Sequence, residues 1–185
     1  MVEPQNAELR ANLALYGLPD DAVQHDSLET SGDIPCVIGG DPATDFCTTH
    51  TISTDDVHQM KLWLGNSDAD FDSKNLTMAA LPQSLTQAPD DTDHIPTLVE
   101  AAKHYVYGHS PAVSRFAAAI NQHLGPFTVD VLTANNITIK PGSPLVYQGG
   151  PKIVVAGTLT FDGPTAQLFS YAHLKMTVNN VVMNA

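Results

Sequence analysis

The stretch that decides the fold runs from residue 135 to residue 183 and reads NNITIKPGSPLVYQGGPKIVVAGTLTFDGPTAQLFSYAHLKMTVNNVVM. When it is shifted against itself by 22 residues, Ile137-Thr138-Ile139 falls on Leu159-Thr160-Phe161 and then on Val181-Val182-Met183. Apolar and polar residues alternate within these runs, and Gly/Pro turn signals separate them. A repeat of this length predicts β units that stack on one another.

The fold class predicted from this repeat is α+β, with a helical N-terminal part and a helical hairpin, followed by a short C-terminal β-solenoid. In such a fold Ile137, Leu159 and Val181 occupy one interior column, on parallel strands about 4.8 Å apart. The alternative is a β-sandwich with evenly spaced strands. We favour the solenoid because a sandwich has no reason to repeat its turn chemistry.

Caps and apolar spacing predict four helices before the repeat. They are expected at Asn6–Tyr16, after Thr54 up to Gly65, from Pro96 to Tyr107, and from Ser110 to Gly125. The last two form the helical hairpin. Residues 27–53 and 66–93 are interpreted as long loops, with a short strand at Cys36–Ile38. The chain is therefore divided into an acidic, mainly helical and loop-rich region, residues 1–126, and a β-rich repeat region, residues 127–185, packed as one unit with the helices.

The charge is unevenly distributed along the chain. The net charge is −12, and residues 1–94 hold 17 acidic and 3 basic side chains, whereas the remainder has a balance of +2. Such a field repels phosphate, so nucleic acid is not expected as a partner. No apolar stretch reaches the length of a membrane span. The N-terminus lacks the features of a signal peptide, which predicts a cytoplasmic protein by default or one exported by a signal-less route. Cys36 and Cys47 are compatible with a disulfide or with two free thiols.

An acidic cluster suggests one candidate cation site. Asp68, Asp70, Asp72 and Asn75 have the D-x-D-x-D-x-x-N spacing that places oxygen ligands around calcium. An EF-hand loop would have glycine at Ser73 and glutamate at Ala79, so the resemblance ends at the first three ligands. A solvated acidic loop is the interpretation we favour, and calcium is retained as the alternative. No other cofactor is expected.

A second motif resembles the Gly-x-Ser-x-Gly elbow of α/β-hydrolases. Gly108-His109-Ser110-Pro111-Ala112 is followed by Asp162 and His173 in the chain order of that family. The elbow requires a strand before the serine, but the preceding segment is helical by pattern, and Ser110-Pro111 is typical of a helix start. An esterase-like hydrolase is therefore the third hypothesis, and no catalytic residue is assigned.

The function predicted by elimination is that of a non-enzymatic structural or interaction protein that self-associates through an open β-edge into an oligomer or filament. Only Asn184 and Ala185 follow the last predicted strand in this sequence, so no capping segment is expected there, and open edges invite pairing with another chain. The opposite net charges of residues 1–94 and 95–185 would permit head-to-tail contacts. The residues assigned to this edge are Leu174, Met176, Val178, Val181, Val182 and Met183.

Overall fold

The computed structural model describes residues 6–39, 45–73, 81–87 and 93–184. Its α-helices are α1 Ala7–Leu15, α2 Val57–Leu64, α3 Asp68–Ser73, α4 Gln83–Gln87, α5 Ile95–Tyr107 and α6 Ala117–Leu124, with short 3-10 helices at Asp20–Ala22 and Ser110–Phe116. Its strands are β1 His25–Glu29, β2 Cys36–Ile38, β3 His50–Thr54, β4 Phe127–Ile139, β5 Leu145–Tyr147, β6 Lys152–Asp162, β7 Leu168–Ser170 and β8 Leu174–Asn184.

The strands form two parallel sheets. One has five strands in the order β1-β4-β6-β8, with β3 also paired to β4, and the other has three in the order β2-β5-β7. In the larger sheet Ile137 is opposite Leu159, and Leu159 is opposite Val181. The predicted register of 22 residues is therefore confirmed between β4, β6 and β8.

The predicted fold class, a helical N-terminal part followed by a C-terminal β-solenoid, is wrong, and so is the β-sandwich alternative. The described chain is a mixed fold of helices and strands whose two parallel sheets do not close. Strands from the N-terminal part join both sheets, so helices and strands are not separated along the chain. The sandwich fails because every strand pair with a defined register in the described residues is parallel.

The N-terminal strands enter the sheets with one common offset. His25 is opposite Ala134 in the larger sheet, and Cys36 is opposite Leu145 in the smaller one, so both pairs join residues 109 positions apart. The path from β1 to β2 thus matches the path from β4 to β5 in length. Of this segment, only the short strand at Cys36–Ile38 was predicted from the sequence, and it is confirmed.

Contacts divide the chain into two compact units. The strand unit comprises Met1–Ile52 and Val129–Ala185, and the helical unit comprises Ser53–Thr128. The division proposed from composition, at residue 126, stays a prediction.

The core of the strand unit lies on both faces of the larger sheet. Leu132, Ala134, Val154 and Ala156 belong to a cluster that also contains side chains of the smaller sheet. The neighbouring side chains on the other face are buried too, and β6 is buried continuously from Lys152 to Gly157. A parallel sheet covered on both faces has long apolar runs instead of alternation. This is why the predicted period of two fails along the first half of β6.

Helix α1 belongs to the strand unit and begins as predicted. The Asn6 side chain accepts a hydrogen bond from the Leu9 N–H at 2.8 Å, which caps the helix. Leu9 and Leu13 are fully buried, and the helix contacts β6 and β8.

The helical unit contains the predicted hairpin with one change. Helix α5 buries Leu98, Tyr105 and Val106, as its spacing predicts, but the alanine that is buried with them is Ala101 and not the predicted Ala102. The next predicted helix is a 3-10 helix over its first half and becomes α-helical only from Ala117. Residues 66–93 were predicted as a loop, but this segment contains α3 and α4. The loop prediction failed there because both helices are short and rich in Asp, Ser or Thr, which favour turns in isolation.

Candidate interaction surface

Strand β8 has one unpaired side. It is hydrogen bonded to β6 from Leu174, opposite Lys152, to Asn184, opposite Asp162. Among the described residues no strand pairs with its outer side. The outward-facing N–H and C=O groups along this edge therefore have no ladder partner and can template another strand.

The residues predicted to form the association edge fall into two groups. Leu174, Met176 and Val178 are partly buried and pack against the core cluster. Val181, Val182 and Met183 have relative exposures of 60%, 39% and 75%. The second half of β8 therefore presents adjacent apolar side chains to solvent, which an isolated surface strand normally avoids.

The smaller sheet ends on the same side. The chain passes from β4 through β5, β6 and β7 to β8, so it adds a strand alternately to each sheet in one direction. Strand β7 is the last strand of its sheet, and Phe169 within it and Tyr171 just after it are exposed. We call the set Phe169, Tyr171, Val181, Val182 and Met183 the open end.

Helix α1 holds the first half of β8 in place. The Tyr16 hydroxyl lies 2.7 Å from the Thr177 hydroxyl, and the Asn12 amide donates to the Asn179 side-chain oxygen at 2.6 Å. Asn179 also donates to Asn6 at 3.1 Å. These contacts order β8 up to its midpoint and leave the open end uncovered by described side chains of α1.

The opposite end of the sheets is covered. The Phe46 N–H donates to the Val37 carbonyl at 2.7 Å, and a ring nitrogen of His25 lies 3.2 Å from the Thr48 carbonyl. Phe46 and Cys47 pack against the same core cluster as the strands. The segment 45–49 thus covers the β2 edge with apolar groups and contacts β1 through the His25 side chain.

A cavity of about 940 Å³ lies beside this covered end. Its lining includes Glu29, Cys47, Asp130 and Lys152. The Lys152 ammonium is buried and lies 2.6 Å from the Asp130 carboxylate, while Glu29 is paired with Lys140. Burial raises the pKa of Cys47 to about 12, helped by Asp45 and Cys36, so this thiol is protonated at neutral pH. The charges of Glu29, Asp130 and Lys152 thus each have a partner of opposite sign, and the thiol is not an activated nucleophile.

The acidic residues singled out from the sequence lie in a helix. Asp68, Asp70 and Asp72 belong to α3, and Asn75 lies outside the described residues. The described part of the chain contains no group of three or more His, Cys, Asp or Glu side chains placed to hold a metal ion. Calcium binding stays a prediction.

Asp68 is engaged by protein groups in the helical unit. Its carboxylate accepts hydrogen bonds from the Ser110 N–H at 2.8 Å and hydroxyl at 2.5 Å, and lies 3.0 Å from the Lys61 ammonium. Burial acts to raise the pKa of Asp68, but the Ser110 hydrogen bonds and Lys61 outweigh it, and the pKa is lowered. Asp72 lies 3.4 Å from a ring nitrogen of His109.

Ser110 begins a 3-10 helix that follows helix α5, so no strand precedes it as a hydrolase elbow requires. The Ser110 hydroxyl donates a hydrogen bond to the Asp68 carboxylate. Asp162 accepts a hydrogen bond from the Asn184 amide at 3.0 Å.

Both cysteines are free thiols, which answers the question left open by the sequence. No helix in the described ranges combines the length and apolar character needed to cross a membrane. No family model, curated protein or solved structure matches this chain.

Sequence reasoning missed the covered end and the strand β1. One signal was present: Pro35-Cys36-Val37-Ile38 has the pattern of Pro144-Leu145-Val146-Tyr147. Leu28 precedes the first run at the distance by which Ile137 precedes the second. A search for the repeat among the residues before 127 would have found this match.

Proposed function

We propose that this protein is a non-enzymatic structural or interaction protein that associates with further copies of itself through β8. The observation that carries the proposal is the unpaired outer side of β8 beside the exposed Val181, Val182 and Met183. A second strand on this side would supply partners for the backbone groups and remove the apolar side chains from water.

The covered end supports this proposal by contrast. There, Phe46 and Cys47 shield the core, and a backbone hydrogen bond occupies part of the β2 edge. The chain thus protects one end of the sheets with its own residues, while the described residues leave the other end without such protection.

The test is the substitution Val182→Lys. Val182 is opposite Thr160 on the next strand inward, so Thr160→Lys places the same charge on the same column one strand away from the edge. We expect the wild type to associate at tens of micromolar, Val182→Lys to weaken this association at least tenfold, and Thr160→Lys to have little effect. Sedimentation over a concentration series measures the association, and circular dichroism confirms folding.

A wild-type protein that remains strictly monomeric at tens of micromolar would overturn the proposal. Equal association of all three proteins would place the contact elsewhere and overturn the assignment to β8.

A further inference from the structure

The two ends of the strand unit are not complementary to each other. A head-to-tail contact would place β8 of one copy on β1 of the next, and β7 on β2. The segment 45–49 occupies the outer side of β2, since the Phe46 N–H donates to the Val37 carbonyl and Phe46 packs with Cys47 on the core. A head-to-tail arrangement would first have to displace these apolar side chains.

Strand β8 is complementary to itself in the antiparallel direction. If two copies are paired about the midpoint between Asn179 and Asn180, Met176 faces Met183 and Val178 faces Val181. Lys175, the only charged residue of the strand, then faces Asn184 of the other copy and lies far from the other copy's Lys175. Apolar cross-strand pairs stabilise such a contact, and like charges do not meet.

The directions in which the β8 side chains point are also symmetric about the midpoint between Asn179 and Asn180. On β4 the core-facing positions are Leu132 and Ala134, then Ile137 and Ile139, so the alternation shifts by one residue in between. The strand register carries this shift to β8, where the corresponding positions are Met176 and Val178, then Val181 and Met183. Reversing the strand about the same midpoint maps this pattern onto itself. All four side chains therefore remain on the core-facing side in both copies.

We infer that β8 pairs antiparallel with β8 of a second copy about a two-fold axis between Asn179 and Asn180, which forms a closed dimer. The inference rests on the proposed association through β8 and adds its partner and geometry. The exposed Val181 and Met183 of each copy are covered by Val178 and Met176 of the other. Because each copy uses the same edge, the contact closes on itself and does not extend into a filament.

The experiment measures the mass in solution over a concentration series, with one variant at each end. Val182→Lys changes the β8 edge, and Ser27→Lys places the same charge on exposed β1 at the opposite end. We expect the wild-type mass to level off at twice the 19.7 kDa of the chain. We also expect Ser27→Lys to dimerise like the wild type and Val182→Lys to lose at least tenfold in affinity.

Pairing between copies is tested directly with two cysteine variants. Because Val178 of one copy faces Val181 of the other, an equimolar mixture of Val178→Cys and Val181→Cys should form an intermolecular disulfide under mild oxidation with oxidised glutathione. Each variant alone should form it at least tenfold more slowly. Equal cross-linking in the mixture and the single variants would overturn this register.

The outcomes separate the two proposals. Growth beyond the dimer, with Ser27→Lys and Val182→Lys both blocking it, overturns the two-fold arrangement and leaves self-association through β8 intact. A wild type that is monomeric at tens of micromolar overturns both.

Discussion

At the scale of single residues, Lys61 shows how the helical unit accommodates a buried charge. Its ammonium donates to the carbonyl oxygens of Tyr105 at 3.2 Å and Gly108 at 2.6 Å, and pairs with Asp68. The two carbonyls lie at the C-terminal end of α5, where the helix dipole favours a cation. Nothing in the spacing of these residues predicts that they meet. The sequence indicated Asp68 as an oxygen ligand but could not reveal that a lysine and a serine of the same chain already bind it.

Replacing Asp68 with asparagine should change how stability depends on pH. The pKa of Asp68 is lowered in the folded protein, so the ionised carboxylate stabilises the fold at neutral pH, and this contribution is lost as the pH falls through the folded pKa. We expect Asp68→Asn to be less stable than the wild type at pH 7, with a difference that narrows as the pH falls below about 4, the ordinary pKa of an aspartate. Urea unfolding at several pH values measures this difference.

The matched control for Asp68 is Ser110→Ala. It removes the hydroxyl donor but keeps the Ser110 N–H and Lys61, so its pH dependence should lie between those of the wild type and Asp68→Asn. Parallel pH profiles for all three proteins would contradict the assignment.

At the scale of elements, the sequence predicted the register of β4, β6 and β8 because each strand repeats the same pattern at one spacing. It predicted α1, α2 and α5 because their caps and apolar spacing are local signals. It failed for β1, whose only fully apolar residue is Leu28, because a strand with one apolar side chain has no measurable period. The association edge was predicted as one apolar stripe, whereas the structure separates it into a half fixed by α1 and an exposed half.

Single truncations at two positions of one column of side chains should differ in their effect on the free energy of unfolding, because burial decreases toward the edge of the sheet. Ile137 is fully buried, whereas Val181, two strands farther out, is 60% exposed. We expect Ile137→Ala to lower the free energy of unfolding by about 2–5 kcal/mol, and Val181→Ala to lower it by less than about 1 kcal/mol. Chemical denaturation at low protein concentration, where association makes no contribution, measures both values. Equal losses would contradict the exposed position of Val181.

At the scale of the whole molecule, net charge decides how salt acts on association. The sequence predicted that opposite charges on two halves of the chain would attract, so that added salt would loosen a head-to-tail contact. In the two-fold dimer each copy presents the same surface, and both carry a net charge of −12. The long-range force between the copies is then repulsive.

Raising the salt concentration should therefore tighten the dimer. We expect the dissociation constant of the wild type to fall between about 0.05 M and about 0.5 M NaCl, because screening reduces the repulsion between the copies. Sedimentation equilibrium at each salt concentration measures this constant. An increase in the dissociation constant with salt would indicate attraction between opposite charges and favour the head-to-tail arrangement.

The common offset of β1 and β2 also determines the order in which the chain can fold. Their partners on β4 and β5 lie 109 residues downstream, so neither strand can pair until those later strands have left the ribosome. Closing so long a loop costs more entropy than forming neighbouring contacts, and such contacts form slowly. The helical unit, by contrast, is one continuous stretch of chain, from Ser53 to Thr128. During synthesis the helices of this unit can fold while His25–Glu29 and Cys36–Ile38 are still unpaired. The two sheets are completed only when their later strands have emerged.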